Sequence, residues 1–415
     1  MKAQRFVKQL VEEVKDRSVG RIMVFTGARQ VGKTTFVKTF LPEYEYLSIE
    51  DPVMRKTYTD MTASQWHLFY PKAALDEVQK LPQLIESIKS AYDQYPNVRY
   101  ALLGSSQLLL LQKVKESLAG RCVIFDMYPL TLPEMMTAEN GKDLTQSLWQ
   151  KVLQGEDPIA LPNFNLDKQM AEKIKVWQHY QTFGGYPALI DTQLTAEERY
   201  KWLANYVRTY LERDVRDLAN FRDLEPYTKL QHILAVRTAQ VLNVSALATQ
   251  TGVSSKTVAR YIEYLNLSFQ TILLPPWDRN EGKRLVKSPK VHYLDNGVLQ
   301  AVLQKRGGIT GAEFESLVVA ELFKQVKCLQ LPASFYHLRT HDGAEVDLLV
   351  ETSEGYYAFE IKQADHVTKN DAKHLLHLEE MLDKPLLRAF VLSNDVETKT
   401  ISEKITAMHA AMFLM

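Results

Sequence analysis

Residues 27–34 constrain this chain more than any others: Gly27-Ala28-Arg29-Gln30-Val31-Gly32-Lys33-Thr34. A glycine, four residues, then Gly-Lys-Thr is the spacing of a phosphate-cradling loop. Glycines at its ends let the backbone curl, so that successive N–H groups, including those of Ala28, Arg29, Gln30 and Val31, point inward at phosphate oxygens. A helix continuing through Thr35 adds its positive N-terminal end to the same anion. Lys33 is expected to reach the β- and γ-phosphates of a nucleoside triphosphate, and the Thr34 hydroxyl to hold Mg²⁺. Such a loop works only between a buried strand and a helix. Residues 21–26 (RIMVFT) supply the first and residues 37–40 continue the second.

The same alternation recurs downstream. Short apolar segments at 73–75, 100–103 and 122–125 read as strands, and strands alternating with helices imply a parallel sheet covered on both faces. The first runs into Asp76-Glu77. Asp76 is placed to hold Mg²⁺ through water, and Glu77 to polarise the attacking water. Ser106 or Gln107, at the end of the next strand, is a candidate contact to the γ-phosphate. Arg121 precedes the last strand. It is either an ordinary surface arginine or a finger that reaches the γ-phosphate on a neighbouring subunit. ATP and Mg²⁺ are therefore the expected cofactors.

With 415 residues the chain is too long for one core, and two to four domains are expected. Lys plus Arg equals Asp plus Glu at 50 each, so bulk charge excludes a general polyanion binder, and any nucleic-acid surface must come from local clustering. The two cysteines, Cys122 and Cys328, have neither disulfide-framework nor zinc spacing and fit a reducing compartment. The first 16 residues carry charges throughout and show helical apolar spacing at Phe6, Val7, Leu10, Val11 and Val14. No apolar run approaches a membrane span, and a cytoplasmic location without membrane contact is expected. Residues 137–169 carry Gly, Pro and Asn and read as an insertion or linker.

An ordered set of motifs extends beyond the loop: GARQVGKTT, LDEVQKLPQL, LLGSSQ, ESLAGR, YPLTLPEM, GGYP at 184–187, YLERDVRDL at 210–218, SKTVARYIEYL at 255–265 and KSPKVHYLDNGVL at 287–299. In this series the chain resembles the prokaryotic AAA+-type P-loop ATPases that end in a domain of unknown function. The resemblance implies an α/β fold with a parallel-sheet AAA+ core, a helical lid, a winged helix and a C-terminal restriction-endonuclease-like α/β domain. It also favours Arg121 as the finger, with hydrolysis between the subunits of a homo-oligomer and a hexamer as the candidate assembly. The expected boundaries are 1–136 for the core, 137–234 for linker and lid, 235–300 for the winged helix and 301–415 for the last domain.

Residues 244–250, capped by Ser245, and a second helix capped by Ser254-Ser255 flank a turn at Thr251-Gly252-Val253. The second helix would place Val258, Ile262 and Leu265 in the core and offer Ser255, Lys256, Thr257 and Arg260 outward. Such a helix can read a DNA groove, and Arg279, Lys283, Arg284, Lys287 and Lys290 form a basic cluster for phosphates; a packing module is the alternative. Near the C-terminus, alternation places Glu345 with Asp347 on one strand face and Glu360 with Lys362 on another. Asp347 and Glu360 can hold Mg²⁺, Lys362 can orient hydroxide, and Glu315, on a helix, can steady the metal or the lysine. This is the D…ExK pattern of nuclease folds, and the fold alone does not decide whether it cuts. The function expected is an ATPase acting on DNA with a nuclease-like C-terminal domain. The alternative is an ATP-gated switch or regulator whose C-terminal domain binds without cleaving.

Overall fold

The structure, a computed structural model, describes residues 3–104, 116–156, 163–211, 224–280, 282, 284, 288–340 and 343–415. Strands β1 (Ile22–Thr26), β2 (Glu45–Ser48), β3 (Lys72–Asp76), β4 (Arg99–Leu103) and β5 (Cys122–Asp126) form a parallel sheet in the order β2-β3-β4-β1-β5. Every residue of β1 is buried, as an inner strand covered on both faces requires. The one strand not foreseen is β2. It lies at the sheet edge and buries only Leu47, so the sequence there shows no apolar run. Because β4 lies between β1 and β3, the loop after Thr26 and the end of β3 open onto one crevice at the carboxyl edge, where ligands bind in open α/β sheets.

A second sheet is antiparallel, with β8 (Lys290–Tyr293) between β6 (Gln240–Val241) and β7 (Thr271–Leu274). Beside it stand helices Val244–Thr251 and Ser255–Leu267, with Gly252 at φ 73° in the turn and the Ser254 side chain accepting from the Thr257 N–H. Val258, Ile262 and Leu265 are buried. The first helix is capped by Asn243, which accepts from the Ala246 N–H at 3.0 Å. Ser245 falls two residues too late for that role, inside the helix.

The third sheet holds six strands: β9 (Ser334–Arg339), β10 (Glu345–Glu351), β11 (Tyr356–Ile361), β12 (Leu386–Ser393), β13 (Lys399–Thr400) and β14 (Ile405–His409), ordered β13-β14-β12-β11-β10-β9. Its first three strands pair antiparallel, while β11, β12 and β14 run parallel. Helix Gly311–Cys328 is buried on nearly every side, because it lies between this sheet and the parallel-sheet core. Over the described residues, the stretch read as a linker is instead packed structure. Trp149, in helix Leu148–Leu153, is fully buried edge-on against Tyr357 and Phe359 of β11. No helix among the described residues is long and apolar enough to cross a membrane.

Candidate nucleotide site and C-terminal carboxylate centre

The phosphate loop is shaped by backbone that only glycine accepts. Gly27 has φ 147°, and a Cβ there would lie 2.1 Å from the Met127 carbonyl oxygen. Gly32, at φ 93°, starts helix Lys33–Phe40. Gln30 also takes a positive φ, 65°, a strained conformation of the sort that collects at ligand sites. The Lys33 ammonium donates to the carbonyls of Gly27 and Ala28, each at 2.8 Å. Ala28 and Val31 are buried beneath the loop.

Across the crevice Asp76 is held by several donors. The Thr34 hydroxyl donates to its Oδ2 at 2.6 Å, the Tyr46 hydroxyl to the same oxygen at 2.7 Å, and the Glu77 N–H to Oδ1 at 2.9 Å. Burial, then the hydrogen bond to Asp76, raises the Tyr46 phenol well above its ordinary pKa, so Tyr46 stays a donor. Glu77 sits at φ 59° and accepts a short hydrogen bond from Gln79. A cavity of about 440 Å³ is lined by Arg29, Gln30, Lys33, Thr34, Asp76 and Glu77, and is closed by Pro187 and Ala188. A hydroxyl and a carboxylate 2.6 Å apart beside a phosphate-shaped loop are the hard oxygen donors that fit Mg²⁺ with a triphosphate.

Several residues of this site carry no motif of their own. A second cavity of about 760 Å³ shares Gly32, Thr35, Pro187 and Ala188 with the first and extends over Arg5, Phe36, Phe40 and Ile190. Arg5 is buried, donating to the carbonyls of Val31 and Tyr128 and pairing with Glu134 at 3.2 Å. The Gly184-Gly185 pair of the GGYP motif is a docking seam. The Gly185 N–H donates to Asp295 at 2.8 Å, its carbonyl accepts from the Leu130 N–H at 2.7 Å, and a Cβ on it would lie 2.3 Å from the Leu130 oxygen. The glycine pair itself was the available signal, since close backbone approach is one of the reasons a chain uses glycine.

Ser106 and Gln107 lie outside the described residues. Arg121 immediately precedes β5, at the end of the sheet opposite the phosphate loop, and clamps Asp93 with two hydrogen bonds of 2.7 and 3.0 Å. That guanidinium holds the Asp93 carboxyl below its ordinary value. A five-residue strand separates Arg121 from the loop of its own chain, roughly 15 Å, so it cannot serve that loop.

The C-terminal carboxylates converge. Lys362 Nζ lies 2.8 Å from Glu360 and 3.8 Å from Asp347, and Asp347 accepts the Ile361 N–H at 2.8 Å. Glu315 and Glu345 complete the group, joined by Lys290, whose Nζ lies 2.6 Å from Glu315, 3.1 Å from Glu345 and 3.7 Å from Asp347. Burial, reinforced by Asp347, raises the carboxyls of both Glu315 and Glu360. Glu345 is lowered, because Lys290 outweighs the effect of its burial. The carboxylates expected to hold a metal are thus taken by two ammonium groups, Lys362 between Glu360 and Asp347 and Lys290 among Asp347, Glu315 and Glu345, and the arrangement as it stands does not fit a resident metal ion.

Of the basic cluster expected to meet phosphates, Arg284 and Lys290 turn inward while Arg279 stays exposed. Lys290 is 1% exposed. Arg284, also buried, pairs with Glu351 and Asp383, and Arg279 donates to the carbonyls of Met381 and Leu382. Carboxylates and carbonyls of the third sheet region compete for these cations, which sequence clustering could not show. Lys283 and Lys287 lie outside the described residues. His337 is buried, and burial pushes its imidazole down to about 4; Arg339 stays at the surface. Ser255, Lys256 and Arg260 are exposed on their helix.

Comparison with known families agrees with this geometry. The AAA domain family matches residues 19–136. These residues form an AAA-type P-loop ATPase domain within an α/β chain. Residues 174–307 and 310–413 match two families described as domains of unknown function, DUF8612 and DUF4143. An uncharacterized protein of Mycobacterium tuberculosis is 28% identical over 353 residues, 82% of this chain and 70% of its own length. Another, from Haemophilus influenzae, is 19% identical and covers 92% of both chains. Among solved structures, the Walker-type ATPase of Pyrococcus abyssi aligns at 14% identity and a TM-score of 0.45, over 72% of this chain and 94% of that one. The ADP form of the Aeropyrum pernix ORC2 protein aligns at 10% identity and a TM-score of 0.32, over 72% and 92%. Both likenesses are loose.

Proposed function

We propose that the chain binds and hydrolyses ATP with Mg²⁺ and couples hydrolysis to work on DNA, in a homo-oligomer whose candidate form is a hexamer. The observation that carries the first part is the Thr34–Asp76 pair at 2.6 Å facing a 440 Å³ cavity beside Lys33 and Glu77. In this reading the loop N–H groups of residues 27–35 and Lys33 bind the phosphates, Thr34 and Asp76 hold the metal, and Ser106 meets the γ-phosphate. Glu77 takes the proton of the attacking water, and Arg121 of the next subunit offsets the charge that develops. The adjoining cavity at Arg5, Phe40 and Ile190 suits the nucleoside. Ser255, Lys256 and Arg260, exposed at the start of their helix, are the groups for DNA.

ATP titration and turnover with and without duplex, single-stranded and branched DNA test this reading. Lys33→Ala is expected to abolish binding, while Glu77→Gln keeps binding and loses turnover by about two orders of magnitude or more. Retained binding in the first, or unchanged turnover in the second, counts against the site. Turnover indifferent to every DNA favours a second reading, an ATP-gated switch whose C-terminal domain binds without cutting. The filling of the Asp347–Glu315–Glu345 group by Lys290 supports that second reading.

A further inference from the structure

We infer that Lys290 is a tethered cation that takes up Asp347, Glu315 and Glu345 of the C-terminal carboxylate centre and keeps that centre closed to metal. The ammonium does not come from the centre's own sheet. It stands on β8, which pairs with β6 and β7, and projects among carboxylates from helix Gly311–Cys328 and from β10. Lys362 already neutralises Glu360 and the far oxygen of Asp347, at 2.8 and 3.8 Å. Lys290 takes the near oxygen of Asp347 together with Glu315 and Glu345. One point charge bridging three carboxylates from two elements is the job a divalent ion does in an oxygen-ligand site.

Two buried groups show that the centre offers more ligands than an ammonium can use. Glu360 is 3% exposed, yet its Oε1 accepts no hydrogen bond and has the His374 Nδ1 at 3.6 Å. His292, two residues beyond Lys290 on β8, is fully buried with neither ring nitrogen hydrogen-bonded, and its Nε2 lies 4.0 Å from the Glu315 oxygen that Lys290 holds. An ammonium has three donors and tolerates irregular geometry. A divalent ion would draw in the spare carboxylate oxygen, and the imidazole as well if the ion is one that accepts nitrogen, as Mn²⁺ does. Buried polar atoms without hydrogen bonds are costly, and these two stand on residues that flank the two ammonium groups of the centre, where a divalent ion could use them once Lys290 is gone. Because Lys290 is bound to the chain, its effective concentration at the centre stays high whatever the free metal concentration.

The test is a Mn²⁺ titration of the full chain without nucleotide, read by electron paramagnetic resonance and by the melting temperature. The wild-type chain is expected to take up no tight Mn²⁺ and to melt unchanged in its presence. Lys290→Gln should gain a site with affinity raised by an order of magnitude or more, should melt higher in Mn²⁺, and should lose both effects when Asp347→Asn is added. Equal uptake by wild type and Lys290→Gln, or uptake that survives Asp347→Asn, overturns the inference. If Lys290→Gln folds poorly, recovery in Mn²⁺ supports it and failure to recover overturns it. Uptake is measured without ATP, so a negative result leaves ATP hydrolysis untouched.

Discussion

At Asp76 the donors Thr34, Tyr46 and the Glu77 N–H converge on one carboxylate, and only two of them adjoin it in a recognisable motif. Lys33, Thr34, Asp76 and Glu77 were legible because spacing alone fixes the chemistry of a phosphate loop and the acidic strand end that serves it. Tyr46 was not, since it comes from an edge strand with no apolar pattern. Burial also decides how single residues respond to pH. The imidazole of His409 is pushed down to about 4 by burial, with Asp395 opposing, and its Nδ1 accepts the Ala411 N–H at 3.0 Å, which requires the neutral ring. The folded value lies below the unfolded 6.5, so this contribution is complete above pH 6.5 and is lost as pH falls toward 4. At pH 5 the loss is about 2 kcal/mol. Denaturant unfolding at pH 7 and pH 5 should show a smaller drop for His409→Asn, which keeps the cap, than for wild type. An equal drop in both would remove His409 as a cause.

Among the elements, helix Gly311–Cys328 does most to join the two larger sheets. Lys324 and Glu321 are both fully buried on it, 3.0 Å apart. Lys324 also donates to the Leu130 carbonyl at 3.1 Å, while Glu321 accepts from the Leu132 N–H and the Tyr180 hydroxyl, each at 2.7 Å. Removing one partner of a buried pair leaves a bare charge, at a cost of about 3–5 kcal/mol. Lys324→Met should therefore unfold at clearly lower urea than wild type, and adding Glu321→Gln should return much of the loss. A single variant as stable as wild type would show that water reaches the pair. The sequence marked this segment as a helix but gave no sign of its second packing face, since that face buries Glu313, Glu321, Lys324 and Gln325, which read in one dimension as a solvent side. The same limit hid the packing of Trp149, whose segment reads as loop by composition.

On the scale of the whole molecule, the phosphate loop, the glycine seam and the C-terminal centre form one connected body. Pro187 lines the nucleotide cavity, Gly185 is fixed to Asp295, and Asp295 lies two residues after β8, the strand that carries Lys290. Arg121 faces away from this body's own loop, so a catalytic role for it requires a second subunit. Mixing Arg121→Ala with Lys33→Ala chains, each inactive alone, should restore a fraction of ATP turnover through hybrid interfaces. Absence of rescue at concentrations where the wild type assembles would confine Arg121 to its pairing with Asp93.

The sequence by itself determined the phosphate loop, the parallel sheet that carries it, the Asp76-Glu77 strand end and the helix-turn-helix, because each is written in local spacing and backbone conformation. Tertiary structure alone decided where the cations go. Lys290 and Arg284 look like a basic surface in one dimension, yet carboxylates distant in sequence draw them inside, since a buried carboxylate is tolerated only when a partner of opposite charge reaches it.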